Sequence, residues 1–240
     1  MVFQGTVTGP ISWNMFFEDA RHAINDSFFE EVVYADDLNA YRVFPSDTDN
    51  AFIKACIGNC QQELHKWGLA NQVAFDAGKE SQHVISVSDP SGENFKMLGV
   101  SFDPELSMAD AIGELVSAAS WKLRTLVRTR RFYTHADLVV LYKAHLLSFI
   151  EYRTPAIYHA TRVYLRRLDA IQSGFLKDIG VDDVTALVEF HLAPLCTRRD
   201  MAMLGLIHRT ALGKGPPQFQ KYFKKYNNDL TSHEPRVGSR

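Results

Sequence analysis

Four consecutive residues, Tyr34-Ala35-Asp36-Asp37, constrain this chain more than any other stretch. Val32-Val33-Tyr34 leads into them, and Leu38-Asn39-Ala40-Tyr41-Arg42-Val43-Phe44 leads out. β-Branched and aromatic residues on both sides favour extended backbone, so the segment is expected to form two antiparallel strands joined by a tight turn. One aspartate suits a turn, because Asp tolerates unusual dihedrals. Two in succession at the tip of an apolar hairpin need a further reason, since adjacent carboxylates repel and raise each other's pKa unless a cation lies between them. A divalent metal with oxygen ligands, Mg²⁺ above all, removes that conflict. An ordinary solvated turn is the alternative, and the rest of the chain has to decide between them.

At 240 residues the chain suits one large or two small domains with a real core. Its 46% hydrophobic and 22% charged content is that of an ordinary globular protein. No apolar run reaches membrane-spanning length, and the N-terminus lacks the basic-then-apolar layout of a secretory signal. Cys56, Cys60 and Cys196 include no CxxC pair, which argues against a disulfide framework and for a reducing, intracellular setting. The near-neutral total hides an asymmetry. Residues 1–119 carry 6 Lys+Arg and 18 Asp+Glu, a balance of −12, and residues 120–240 carry the remaining 20 and 10, a balance of +10. An acidic half able to bind metal and a half suited to a polyanion fit that split, as do two solvated faces that differ in sign.

Taken in order, the chain opens on Val2-Phe3-Gln4-Gly5-Thr6-Val7-Thr8-Gly9-Pro10, as though an upstream portion preceded it. Pro10 is expected to open a helix capped near Thr8 or Gly9, with Trp13, Phe16, Phe17, Ala20 and Ile24 as its buried stripe. Gly5 and Gly9 would let backbone approach a ligand, and Gln4 offers a donor and an acceptor. Ile53, Ile57, Cys60, Leu64 and Trp67 predict a second amphipathic helix ending at Gly68. Val73–Phe75 and His83–Val87 read as short strands around a turn at residues 76–81, with Lys79 a solvated turn charge. Residues 95–102 read as one further strand with a bulge or close approach at Gly99, stopped by Asp103-Pro104.

From Ser107 the pattern turns helical. Ile112, Val116, Ala119, Leu123 and Leu126 form an apolar stripe, and Lys122, Arg124, Arg128, Arg130 and Arg131 make the end of the segment basic. These five residues are placed against nucleic-acid phosphates, although cations also suit a helix C-terminus. Further helices are expected over residues 136–152, 160–179 and 199–212, with Gly213-Lys214-Gly215-Pro216-Pro217 as a break and a fraying tail from Lys221. Cys56 and Cys60 read as core thiols, and His191, Cys196 and His208 are too scattered for zinc.

Together these residues resemble a reverse transcriptase of the type carried by non-LTR retrotransposons. Gln4-Gly5 through Pro10 resembles the family's Gln-Gly…Pro motif, and Tyr34-Ala35-Asp36-Asp37 matches its Tyr-x-Asp-Asp hairpin. Trp67-Gly68-Leu69 through Lys79 is similar to the segment ending in the motif lysine. Leu98-Gly99 falls where the primer-grip strand has its Leu-Gly pair, and the basic helix is placed as a thumb would be. Leu192-Ala193-Pro194-Leu195 with Arg198-Arg199 is similar to the region downstream of the thumb. Four motifs in order across roughly 100 residues are far more specific than the tetrapeptide alone.

The resemblance implies an RNA-directed DNA polymerase acting on an RNA template, a DNA primer and dNTPs, with Mg²⁺ as cofactor and Mn²⁺ as a substitute. Asp36 and Asp37 would ligate the metal, Lys79 would neutralise or protonate the leaving group, and Gln4, Gly5 and Tyr34 would shape the nucleotide and template pocket. Gly99 would lie along the primer. It also implies an α+β chain: a partial palm over residues 1–104, a helical thumb over 105–152 and a helical extension over 153–240. The family's first palm aspartate and its fingers precede the Gln-Gly motif, and Asp19 and Asp26 follow it. The expectation is therefore a polymerase part that is inactive alone, with a non-catalytic nucleic-acid-binding remnant as the alternative.

Overall fold

The computed structural model describes residues 6–35 and 37–223. The fold is mixed α+β, dominated by helices, with two small two-stranded antiparallel sheets. The chain divides into two compact units. One contains the residues up to Phe95 with Asp103–Leu106, and the other contains Lys96–Phe102 with the chain from Ser107 on.

The first unit begins with α1 (Gly9–Asp26), which opens with Pro10 in its first turn and has Thr8 at the N-cap, as the sequence requires. Phe17, Ala20 and Ile24 are buried, but Phe16 is 40% exposed. Phe16 closes one side of an aromatic group with Trp13 and Trp67 instead of entering the core. The hairpin follows as β1 (Glu30–Tyr34) and β2 (Asp37–Tyr41). A core of Ile24, Phe29 and Cys60, lined by Leu38, Phe44, Cys56, Ile57 and Leu64, joins the hairpin to α1 and α2 (Asn50–Asn71). Cys56 and Cys60 are free thiols in this packing.

Three local expectations are corrected here. α2 does not stop at Gly68; it runs to Asn71 and ends on Gln72 at φ 58°. Gly68 is instead a close-approach position, because a Cβ there would meet the Phe75 ring and the Val73 carbonyl oxygen at 2.8 Å. Val73–Phe75 is not a strand: Phe75 stacks on His65 and lies tilted against Trp67, so its side chain is committed to the helix. The segment His83–Val87 contributes only an isolated bridge from Val84 to Ser91. β-Propensity without a partner edge makes no ladder.

Residues 95–102 also differ from the expectation of one bulged strand. β3 (Phe95–Met97) and β4 (Val100–Phe102) form a hairpin around Leu98 and Gly99, at φ 48° and 78°. Two successive positive φ values are the signature of the two-residue turn that matches strand twist.

The second unit is a helical assembly around one core. It comprises α3 (Ala109–Arg128), a 3₁₀ turn (Arg130–Phe132), α4 (His135–Tyr142), a π turn (Lys143–Leu147), α5 (Ser148–Glu151) and α6 (Thr154–Ile157). Then come α7 (Arg162–Ile179), α8 (Asp183–Val188), α9 (Leu195–Ala211) and α10 (Pro217–Gln220). α3 packs chiefly on α7 through Ile112, Leu115, Ala119, Leu168, Ile171 and Phe175, so helices on both sides of residue 152 share the core. Each of the Ile, Leu and Phe side chains among them contributes roughly 1.5–3 kcal/mol on burial. Tyr142 stacks on Phe175 at 4.4 Å. Arg198 pairs with Glu151, and buried Arg199 pairs with Asp169 at 2.8 Å, tying α9 to α5 and α7. The tail expected from Lys221 lies outside the described residues beyond Phe223. No helix among the described residues is long and apolar enough to cross a membrane.

Candidate functional site

The hairpin is closed by the pairing of Tyr34 with Asp37, and Ala35 follows Tyr34 in its turn. Ala35 has φ 54°, as such a loop demands. Its carbonyl oxygen accepts a hydrogen bond from Trp13 Nε1 at 2.9 Å. Trp13 in turn stacks on Phe17 of the same helix at 5.2 Å. A second anchor holds the other end, where Arg21 of α1 donates to Glu31 at 2.8 Å. The hairpin is thus fixed to α1 at two points, one at its tip and one near its open end.

Register decides which way the acids face. Paired residues in an antiparallel ribbon share a face, and faces alternate along each strand. Leu38 packs into the core, so its neighbour Asp37 points the other way, together with Tyr34, Val32 and Asn39. Tyr34 is 65% exposed, and Asp37 is exposed. Asp37 makes no ion pair with a described residue. A carboxylate on an open face, without a competing cation, is a hard oxygen donor able to take Mg²⁺ or Mn²⁺. Asp36, Gln4 and Gly5 lie outside the described residues. Among the described residues no group of three or more metal-ligating side chains converges.

Lys79 sits where the sequence put it, on a turn closed by its own N–H donating to the Asp76 carbonyl oxygen at 2.8 Å. Its side chain is 85% exposed, with Nζ 3.9 Å from Asp76. Lys79 is thus paired with Asp76 and not with the hairpin.

In the second unit, Gly99 is needed for its dihedral angle, since a Cβ there would meet open space. The Leu98–Gly99 turn is clamped from below: Tyr152 Oη donates to the Leu98 carbonyl oxygen at 2.8 Å, and Arg153 Nη2 donates to that of Gly99 at 3.2 Å. Lys122 is half-buried with Nζ 5.0 Å over the Phe149 ring, which Arg153 also covers at 4.7 Å. Arg124, Arg128, Arg130 and Arg131 are exposed, and none of them pairs with a carboxylate among the described residues. The anchoring roles of Trp13, Tyr152 and Arg153 were not legible in the sequence, because their hydrogen bonds reach backbone carbonyls far along the chain. Trp121, 63% exposed beside the arginines, was legible as an aromatic on the polar side of α3.

No protein-family model, curated protein or solved structure matches this chain.

Proposed function

We propose that this chain carries the catalytic hairpin and thumb of a reverse transcriptase of the non-LTR type, which transfers a nucleotidyl group from a dNTP to a primer 3′-hydroxyl on an RNA template. The observation that carries the reading is the hairpin closed by Tyr34 and Asp37, with Asp37 held on its open face and the tip fixed by Trp13. Asp36 and Asp37 are the residues that would hold Mg²⁺. When bound, the metal would lower the pKa of the attacking hydroxyl and steady the leaving pyrophosphate. The chain's own share is positioning and charge: Tyr34 flanks the nucleotide, Lys79, exposed and within 3.9 Å of Asp76, would swing from that partner to neutralise the leaving group, and the clamped Leu98–Gly99 turn offers a rigid edge to the primer.

Primer extension on a primed RNA template in Mg²⁺ tests this, with the chain supplied alone and together with a separate fingers-and-first-palm-strand polypeptide. The expected result is incorporation above that of either piece, abolished by Asp36→Asn or Asp37→Asn. Undiminished incorporation by Asp37→Asn would contradict the assignment. The exposed arginines Arg124 and Arg128 of α3, which meet no carboxylate among the described residues, also favour a second reading, a nucleic-acid-binding remnant without catalysis. Binding to primer–template with no incorporation in any combination would select it.

A further inference from the structure

We infer that one face of α3 and the turn after it, made of Trp121, Arg124, Arg128, Arg131 and Phe132, is a stacking track for single-stranded nucleic acid. Residues 121, 124 and 128 follow helical spacing and share a face. That face lies opposite the side carrying buried Ile112, Leu115 and Ala119. Trp121 is therefore not placed by the core, and it is 63% exposed. From Trp121 to Arg128 the helix rises about 10 Å, and the 3₁₀ turn Arg130–Phe132 follows after Thr129.

At that turn Phe132 is 69% exposed and Tyr133 46%. The Arg131 guanidinium lies 4.7 Å over the Phe132 ring. Thr125, between Trp121 and Arg128, turns its hydroxyl back onto the Trp121 carbonyl oxygen at 3.1 Å. An indole, two arginines, and then an arginine–phenyl pair alternate along the surface. The face has a direction as well. Asp110 and Glu114 occupy its N-terminal turns, where like charge would turn a phosphate chain away.

Phosphates explain the arginines but not the rings. An exposed indole or phenyl gives nothing to a phosphate, whereas a base stacked on it removes both apolar faces from water. A duplex hides its base faces within the stack, so a strand with unpaired bases is the partner that uses every residue of the track. RNA and DNA strands are both expected to bind, because a base presents the same face in each.

The inference rests on the proposed polymerase reading only for where such a strand would come from. The test uses the full chain in EDTA, so that metal binding at the hairpin plays no part and the two ideas fail separately. Fluorescence anisotropy is measured with labelled 12-nucleotide probes: unstructured RNA, unstructured DNA, an abasic DNA strand and a blunt DNA duplex. The unstructured strands are expected to bind at least tenfold more tightly than the abasic strand or the duplex. Trp121→Ala and Phe132→Ala should each weaken that binding roughly five- to hundred-fold, with unchanged thermal unfolding. Arg128→Gln should lower the salt slope by about 0.7. Abasic or duplex probes binding as tightly as the intact strands would overturn the inference, as would a less than twofold effect of Trp121→Ala and Phe132→Ala combined.

Discussion

A methyl group added at Gly68 would lie 2.8 Å from both the Phe75 ring and the Val73 carbonyl oxygen. Alanine gains about 1 kcal/mol of helix propensity over glycine, while forced overpacking costs about 1–3 kcal/mol. The ring can move. The carbonyl is part of a chain whose next step, Val73 N–H to the Gly68 carbonyl oxygen at 2.8 Å, holds it in place. Gly68→Ala is therefore expected to destabilise by about 1 kcal/mol net, read as a lower urea midpoint at unchanged slope. Arg199 makes a second residue-scale case: it is 5% exposed and bound to Asp169 by two contacts, at 2.8 and 3.1 Å. Breaking a fully buried pair costs about 3–5 kcal/mol. Asp169 keeps 29% exposure and can be rehydrated, so Arg199→Met should cost about 2 kcal/mol by the same measurement. Neither role was visible in sequence. Glycine near a helix end suggests a cap, and an arginine beside another suggests a polyanion.

Among the elements, α4 starts on a complete capping box. Thr134 Oγ1 accepts from the Asp137 N–H at 3.2 Å, and the Asp137 carboxylate accepts from the Thr134 N–H at 3.1 Å. Hydrogen bonding from the Thr134 hydroxyl, then from its N–H, holds the Asp137 carboxyl below its ordinary range. A depressed folded-state pKa adds stability that is present above the ordinary aspartate value and lost as pH falls through the folded one. Exchange protection of the first turn of α4 should accordingly drop only on acidification below the usual carboxylate range. Asp137→Asn should flatten that dependence. The elements with strong periodicity were legible: α1, α2, α3, α7 and the hairpin all stand where apolar spacing put them. α9 begins at Leu195, ahead of the expected 199, and α8 was missed because six residues give too short a period to detect. The β3–β4 turn was missed because Leu98, not a usual positive-φ residue, occupies its first position. There the clamp from Tyr152 and Arg153 outweighs local preference.

At the scale of the whole molecule, the charge split of −12 for residues 1–119 and +10 for 120–240 nearly follows the division into two units. A polypeptide of residues 96–223 is expected to unfold in one cooperative step and to show the salt-sensitive nucleic-acid binding proposed for the full chain, as anisotropy against salt would read. The metal proposed for the acidic unit rests on Asp37, which stands on the open face of the hairpin and not in the core. The register that turns Asp37 away from Leu38 was readable from alternation, whereas the Trp13 bond that fixes the tip was not. The direct test is a Mn²⁺ titration of the full chain followed by electron paramagnetic resonance, with Mg²⁺ as competitor. Wild-type chain should remove free Mn²⁺ signal and release it to Mg²⁺, and Asp36→Asn and Asp37→Asn should each lose that binding. Equal Mn²⁺ uptake by wild type and both variants would contradict a metal role for the hairpin.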